Sequence, residues 1–285
     1  MSYEPLPEGL KIESIFHPSD FSEASAVAFL HALKVALVTK SDLSILHVSA
    51  DAASEWQDFP GVRDTLERWG LIPKDSPKSA VAQLGINVRK IAAQGRDPVK
   101  ACLGFLEKHP ADLIVLAIHQ RAGRMRWLET SIGEPIARRA GQMTLFIPHG
   151  VNGFVMPDGT VKLRRIVVPI ATKPRPQPAI EAVHRLTTAL GLPAGKVTLL
   201  HVGHADDAPA VSLPPSADWK WERVNREGDV VESILDIANT SADLLVMTTD
   251  GPDGFLDGLR GSTSERVLRA VKCPILSLPA GSLLG

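Results

Sequence analysis

A glycine-rich stretch near the C-terminus, residues 248–263, has the clearest potential for chemistry. It joins an apolar run to a helical segment, and its notable members are Gly251, Gly254, Gly261, Ser262 and Thr263. Glycines let backbone amides approach an anion, and a helix N-terminus favours phosphate through its unpaired N–H groups and its dipole. The spacing therefore predicts a phosphate-binding loop. A plain turn in which Ser262 only caps the next helix would use the same residues.

The same stretch contains three acidic residues, Asp250, Asp253 and Asp257, which are its candidates for holding a metal-bound phosphate and positioning a water. A slow ATPase or phosphoryl-transfer enzyme is therefore one hypothesis. The chain has no Gly-x-Ser-x-Gly elbow, no Gly-x4-Gly-Lys-Ser/Thr loop and no Gly-x-Gly-x-x-Gly turn after its first strand. A binding protein is favoured over an enzyme on these grounds.

Histidines form a second candidate cluster. His17, His47 and His119 each end a predicted strand, so that they and Asp20 could share one rim and bind a metal. Separate polar residues along the rim are the alternative, because a position at a strand end does not fix the direction of a side chain. His47 and His201 occupy matched positions in two similar segments, which favours a shared structural role. Asp20 also has an alternative as the N-cap of the next helix.

The elements that must position these residues follow from the hydrophobic pattern. Short apolar runs alternate with helical segments, which is typical of a parallel sheet with helices on both faces. Strands are predicted at 12–17, 43–48, 86–92, 113–118, 143–147, 165–170, 196–202, 221–226, 243–248 and 274–278. Helices are predicted near 22–38, 97–108, 131–140, 177–190, 229–239 and 262–271.

The chain is an internal duplication. Ile45-Leu-His-Val48 matches Leu199-Leu-His-Val202, and Ala111-Asp-Leu-Ile-Val-Leu116 matches Ala242-Asp-Leu-Leu-Val-Met247. The predicted fold is α/β, with two repeated domains that each contain a five-stranded parallel sheet of order 3-2-1-4-5. Ligands of such sheets bind beyond the carboxyl ends of the strands where the order reverses, so the loops after the first and fourth strands should carry the site.

Domain boundaries are predicted at 1–150 and 160–285. The segment 149–163 between the matched copies is rich in turn residues, which suits an ordered linker or a hairpin around Pro157-Asp-Gly159. Residues 51–79 are an insertion in the first copy and should form a helix over the sheet. The last strand of each copy is an edge strand, and we expect the two copies to pair through these strands as an intramolecular pseudo-dimer. Association of two chains into a homodimer is open.

Composition excludes several classes of partner. The formal net charge is −1 at pH 7, so the chain lacks the basic field that drives binding to nucleic acid. The two cysteines, Cys102 and Cys273, are expected to be core thiols rather than a disulfide or zinc site. No signal peptide and no apolar run of membrane-spanning length is evident, so a cytoplasmic protein without membrane contact is expected.

The pattern Gly251-x2-Gly254-x6-Gly261-Ser262, within this repeated framework, resembles the nucleotide-binding loop of the universal stress protein family. In the first copy, Pro18-Ser-Asp-Phe-Ser-Glu-Ala-Ser25 resembles the end of the family's first strand, and residues 117–131 resemble its loop. The resemblance covers nearly the whole chain, as a tandem member. It implies that ATP is held between the loop and an acidic residue after the first strand.

Each copy departs from the family pattern in a different way. Asp20 occupies the acidic position of the first copy, whose loop keeps Gly123 and Ser131 but has Gln120 and Thr130 in place of two glycines. The second copy has all the glycines, but Ala171 occupies its acidic position. Backbone amides and the helix end supply most of the affinity for phosphate, whereas a missing carboxylate removes one hydrogen bond, about 1 to 3 kcal/mol.

The second copy is therefore predicted to bind ATP or a related adenine nucleotide, with or without Mg²⁺, and Pro169 and Ile170 at the end of its first strand complete the site. The expected function is that of a stress-response protein in which nucleotide occupancy is the signal. The alternatives are the slow ATPase and an interaction or ligand-sequestering protein whose nucleotide sites are vestigial.

Overall fold

The fold is seen in a computed structural model, which describes residues 12–50, 59–118, 141–215, 218–249 and 263–279. Its strands are β1 Ser14–Pro18, β2 Asp42–Ser49, β3 Asn87–Gln94, β4 Leu113–Ile118, β5 Met143–Pro148, β6 Arg165–Pro169, β7 Gly195–Val202, β8 Trp219–Arg226, β9 Leu244–Thr249 and β10 Ile275–Pro279. Its helices are α1 Glu23–Thr39, α2 Val62–Arg68, α3 Ser79–Gln83, α4 Pro98–Lys108, α5 Gln177–Ala189, α6 Val230–Ser241 and α7 Thr263–Ala270. The ten predicted strands are all present, and the predicted helix 131–140 lies outside the described residues.

The strands form one sheet of ten, in the order β3-β2-β1-β4-β5-β10-β9-β6-β7-β8. Each half of the sheet has the predicted order 3-2-1-4-5 and is parallel throughout. Helices α1 and α5 pack on one face, and α4, α6 and α7 pack on the other. The α/β fold with helices on both faces is thus confirmed.

The two halves meet at an antiparallel pair. Strands β5 and β10 are hydrogen-bonded with Leu145 opposite Leu276 and Phe146 opposite Ile275, and all four side chains are buried. An apolar edge strand exposes both its backbone groups and its side chains unless another strand covers it. Each terminal strand covers the other here, as the sequence predicts.

The repeated Ala-Asp-Leu motif fixes the first strand of each half beside the fourth. The carboxylate of Asp112 accepts hydrogen bonds from the backbone N–H groups of Glu13 and Ser14, at 2.8 and 2.9 Å. Asp243 accepts from the N–H groups of Arg164 and Arg165, both at 2.9 Å. These aspartates satisfy amides at the start of β1 and β6 that would otherwise lack a partner. The motif is repeated because it builds the sheet, not because it carries chemistry.

Both cysteines are buried core thiols, as predicted. Cys102 lies on α4 and Cys273 just before β10, and both pack in the core between the sheet and the helices α4, α6 and α7. Burial raises the pKa of each thiol to about 12. Thiolate chemistry at neutral pH is therefore disfavoured at both positions.

The insertion in the first half, residues 51–79, contains a shorter helix than the prediction of a helix over the sheet implies. The helix is α2, whose Val62 and Leu66 pack in the core, whereas α3 begins only at the last residue of the insertion; residues 51–58 lie outside the described residues. Trp69 packs against the core and donates from its ring N–H to the carbonyl of Pro157, at 3.0 Å. Proline and glycine positions between residues 70 and 77 limit helix length in this segment.

The linker is an ordered hairpin, as predicted around Pro157-Asp-Gly159. Val155 bridges to Val161, and Asp158 accepts from the N–H and hydroxyl of Thr160, at 3.0 and 2.6 Å. Phe154 is fully buried against the first half. The linker is thus part of the core and holds the two halves in register.

Candidate functional site

The site predicted by topology lies where the strand order reverses, at the carboxyl ends of β1 and β4 in the first half and of β6 and β9 in the second. The backbone frame is the same in both. The N–H of Ser19 donates to the carbonyl of Leu46 at 2.9 Å, and the N–H of Ile170 donates to the carbonyl of Leu200 at 2.8 Å. The two halves therefore present equivalent backbone positions to a ligand, and their differences lie in side chains and loops.

The matched histidines maintain this frame. His47 donates from Nδ1 to the carbonyl of Ser19 at 2.7 Å, and Nδ1 of His201 contacts the carbonyl of Ile170 at 3.3 Å. Each ring thus ties the end of the second strand to the residue after the first strand. The shared structural role expected from the duplication is confirmed for both.

A metal role for the histidines finds no support in the part of the chain that the structure describes. No group of three or more His, Cys, Asp or Glu residues within it is arranged to hold an ion. His17 is fully buried and donates from Nδ1 to the carbonyl of Val115 at 2.8 Å. His119 lies outside the described residues. Both described rings are therefore hydrogen-bonded to backbone.

Asp20 is exposed at the carboxyl end of β1, where the family resemblance expects an acidic residue. Its Oδ1 accepts from the backbone N–H of Ser22 at 3.0 Å and from the Ser22 hydroxyl at 2.6 Å. The N-cap of α1 is Ser22, whose hydroxyl oxygen accepts from the N–H of Ser25. The interpretation of Asp20 as the N-cap is wrong, because the loop continues two residues further before the helix begins.

An aromatic cluster covers the ends of β1 and β2 in the first half. Phe21 has φ of 61° and stacks on His47 with ring centroids 3.9 Å apart. Phe59, from the insertion, meets Phe21 edge-on at 5.2 Å and is buried. The sequence analysis missed this cluster. Its one signal was an apolar residue, Phe21, inside an otherwise polar loop.

The second half presents small, exposed side chains at the equivalent place. Ala171 and Thr172 follow Ile170 and are both exposed, whereas Ile170 itself is buried and Pro169 is half-buried. The loop 203–215, which stands where the first half has its insertion, contains only the short 3₁₀ turn Ala205–Asp207. Among the described residues, no ring stacks on His201 as Phe21 stacks on His47, and the side chains that follow Ile170 are small.

The phosphate side of the predicted site is described in part. Helix α7 begins at Thr263, which is exposed, and the buried Glu265 in its first turn forms an ion pair with Arg269. Thr248, near the end of β9, has a buried hydroxyl oxygen that lacks a hydrogen-bond partner within the described residues. The remaining predicted residues lie outside them: Gly251, Gly254, Gly261, Ser262, Gly123, Ser131, and the acidic candidates Asp250, Asp253 and Asp257.

Among the residues that the structure describes, no helix is both long enough and apolar enough to span a membrane.

Comparison with solved structures supports the fold. A universal stress protein from Archaeoglobus fulgidus aligns with a TM-score of 0.58 and 17% identity, over 93% of this chain and 95% of its own. The cytoplasmic domain of a prokaryotic cation chloride cotransporter aligns with a TM-score of 0.51 and 11% identity, over 95% and 96% of the two chains. A universal stress protein in complex with cAMP covers 48% of this chain and 97% of its own, with 18% identity and a TM-score of 0.35.

No curated protein matches the chain significantly. The sequence profile of the universal stress protein family matches residues 11–148 and 220–279, one region in each half of the chain. Together with the duplicated 3-2-1-4-5 sheets, this match shows that the chain belongs to the universal stress protein family, as a tandem member.

Proposed function

We propose that the second half binds ATP or a related adenine nucleotide at the carboxyl ends of β6 and β9, and that occupancy of this site is a signal in a cytoplasmic stress response. The observation that carries the proposal is the difference between the carboxyl end of β1 and the carboxyl end of β6. Phe21, His47 and Phe59 stack over the first, whereas the second presents the exposed Ala171 and Thr172. A ligand needs accessible surface beyond the carboxyl ends of the strands, at the point where the strand order reverses.

The phosphate tail is assigned to the glycine loop. Gly251, Gly254 and Gly261 offer backbone amides, and the loop leads directly into α7. Thr263 is the first described residue of α7, and Ser262 precedes it in the sequence; N–H groups at a helix N-terminus favour an anion. The hydroxyl of Thr248, which has no hydrogen-bond partner among the described residues, lies near the end of β9 and can donate to a ligand oxygen. Burying such a hydroxyl without a partner is unfavourable, which a ligand contact would relieve.

The base and ribose are assigned to the backbone around Pro169 and Ile170. The Ile170 N–H and carbonyl are engaged by Leu200 and His201, which makes this backbone rigid. Mg²⁺ would neutralise part of the triphosphate charge and is included in the proposal.

Nucleotide binding stabilises the folded state by mass action, so thermal melts with Mg-ATP, Mg-AMP and cyclic nucleotides test the proposal directly. No stabilisation by any of these at millimolar concentration would contradict it.

Restoring the missing carboxylate should strengthen binding. Ala171 is the second residue after β6 and is exposed, as Asp20 is the second residue after β1 and is exposed, so an aspartate at 171 can accept from a ribose hydroxyl. A hydrogen bond to a charged group contributes about 1.5 to 3 kcal/mol, so Ala171→Asp should tighten ATP binding by roughly 10-fold or more. Calorimetric titration measures the change, and Ala171→Asn is the uncharged control. Unchanged affinity in Ala171→Asp would place the ribose elsewhere.

A further inference from the structure

The first half contains a cavity beside its outermost strand, and Phe59 of the aromatic cluster forms part of its wall. The cavity has a volume of about 750 Å³ and lies between helices α2 and α3 and strand β3. Its apolar lining includes Phe59, Val62, Ile86 and Val88. A volume of this size falls within the range of sites that bind small organic ligands.

The polar lining of this cavity is mostly cationic. Arg63, Lys78 and Lys90 line it together with a single carboxylate, Asp64. The ammonium of Lys90 lies 5.9 Å from the centre of the Phe59 ring. Neither Lys78 nor Lys90 has a carboxylate within 4.0 Å in the described part of the chain. The cavity thus carries two more positive than negative groups, and Lys78 and Lys90 have no ion-pair partner among the described residues.

One of the cationic groups is held in place by a hydrogen bond. Arg63 donates from Nη1 to the carbonyl of Ser76 at 3.1 Å, which fixes the guanidinium at the rim. Burial lowers the pKa of Lys90; Asp64 opposes this effect, and Arg63 and Lys78 add to it. An anion beside these groups would relieve their mutual repulsion, and the apolar lining would cover an attached hydrocarbon or ring.

We propose that this cavity is a binding site for a carboxylate with an apolar body, held by Lys78 and Lys90 at its charged end and by the accessible Val81, Ala82 and Val88 along its apolar part. The site is separate from the one proposed for the nucleotide, which lies in the other half of the sheet. The first half, in which aromatic rings cover the carboxyl ends of β1 and β2, would bind a different ligand in this cavity. The insertion supplies one side of this lining, including Arg63 and Lys78.

Calorimetric titration with 1-naphthoate tests the proposal, with 1-naphthalenemethanol as the neutral analogue. We expect saturable one-to-one binding of the carboxylate and roughly 10-fold weaker binding of the alcohol, since a charge-assisted hydrogen bond contributes about 1.5 to 3 kcal/mol. The double variant Lys78→Gln/Lys90→Gln should weaken naphthoate binding by a similar factor. Lys100→Gln, an exposed lysine on α4 at the opposite face of the sheet, is the matched control and should bind as the unaltered protein does.

A second variant tests whether binding depends on the space inside the cavity, without changing the charge of its lining. Ala82 is exposed and lines the cavity, so Ala82→Trp should fill the site and abolish binding without disturbing the core. Circular dichroism identifies any variant that fails to fold. Absence of saturable binding to the unaltered protein, equal binding in the charge variants, or displacement of naphthoate by Mg-ATP would each overturn the proposal. The first two outcomes leave the proposed nucleotide site in the second half untouched, whereas displacement by Mg-ATP would place nucleotide at this cavity.

Discussion

Mild acid should destabilise the protein strongly between pH 6.5 and pH 4. Two histidines, His17 and His31, are fully buried, and burial lowers the pKa of each to about 4. In the unfolded chain their pKa is about 6.5. Because the pKa of each histidine is lower in the folded state, the free energy of unfolding is highest above pH 6.5. It falls as the pH is lowered, since the unfolded state takes up protons first. At pH 5 the loss is about 2 kcal/mol for each histidine, or about 4 kcal/mol together.

Urea unfolding at pH 7.5 and pH 5.0 measures this loss, in a window that lies above the titration of ordinary carboxylates. The double variant His17→Asn/His31→Gln is the control, because it keeps hydrogen-bonding side chains that do not titrate. It should be less stable at pH 7.5 but should lose about 4 kcal/mol less between the two pH values. The same pH dependence in the double variant would assign the acid sensitivity to other groups.

Replacing Gly153 with alanine should destabilise the protein by about 3 kcal/mol, from a left-handed backbone and an overfilled core. Gly153 has φ of 67°, and a β-carbon there would overlap the ring of His31. The ring cannot move easily. It donates from Nδ1 to the carbonyl of Val27 at 2.8 Å, and its Nε2 accepts from the N–H groups of Phe154 and Val155 at 3.0 and 3.2 Å.

Gly150 offers a matched control for this substitution. Its φ is 78°, but a β-carbon added there meets no atom within 4 Å. Gly150→Ala should therefore show only the backbone cost of about 1 to 2 kcal/mol. Adding His31→Ala to Gly153→Ala should make the two changes less than additive, because the clash is removed. Equal destabilisation in Gly150→Ala and Gly153→Ala would show that the His31 ring yields to the new methyl group.

The sheet could be predicted from the sequence because its signals are local. Apolar runs such as Leu113–Ile118 and Leu244–Thr249 read as buried strands, and the matched motifs placed them in two copies. The pairing of β5 with β10 followed from their being the last strands of their sheets. These inferences need only the order of the elements and the requirement that apolar edges be covered.

The details of the site depend on contacts that the sequence does not display. The stack of Phe21 on His47 requires a positive φ at Phe21 and brings in Phe59 from a separate segment. The N-cap of α1 is Ser22 and not the alternative Asp20, whose carboxylate accepts from the N–H of Ser22. His31 stabilises the linker through backbone amides more than a hundred positions away along the chain. Long-range packing decides each of these, and pattern alone does not.

Calorimetric titration of Mg-ATP into two glycine variants tests the central claim most directly. Gly254 belongs to the second-half loop and Gly123 to the first-half loop. An arginine at 254 should occupy the phosphate path and abolish binding, whereas Gly123→Arg should leave the affinity of the unaltered protein in place. Loss of binding in Gly123→Arg with retention in Gly254→Arg would contradict the assignment of the nucleotide to the second half.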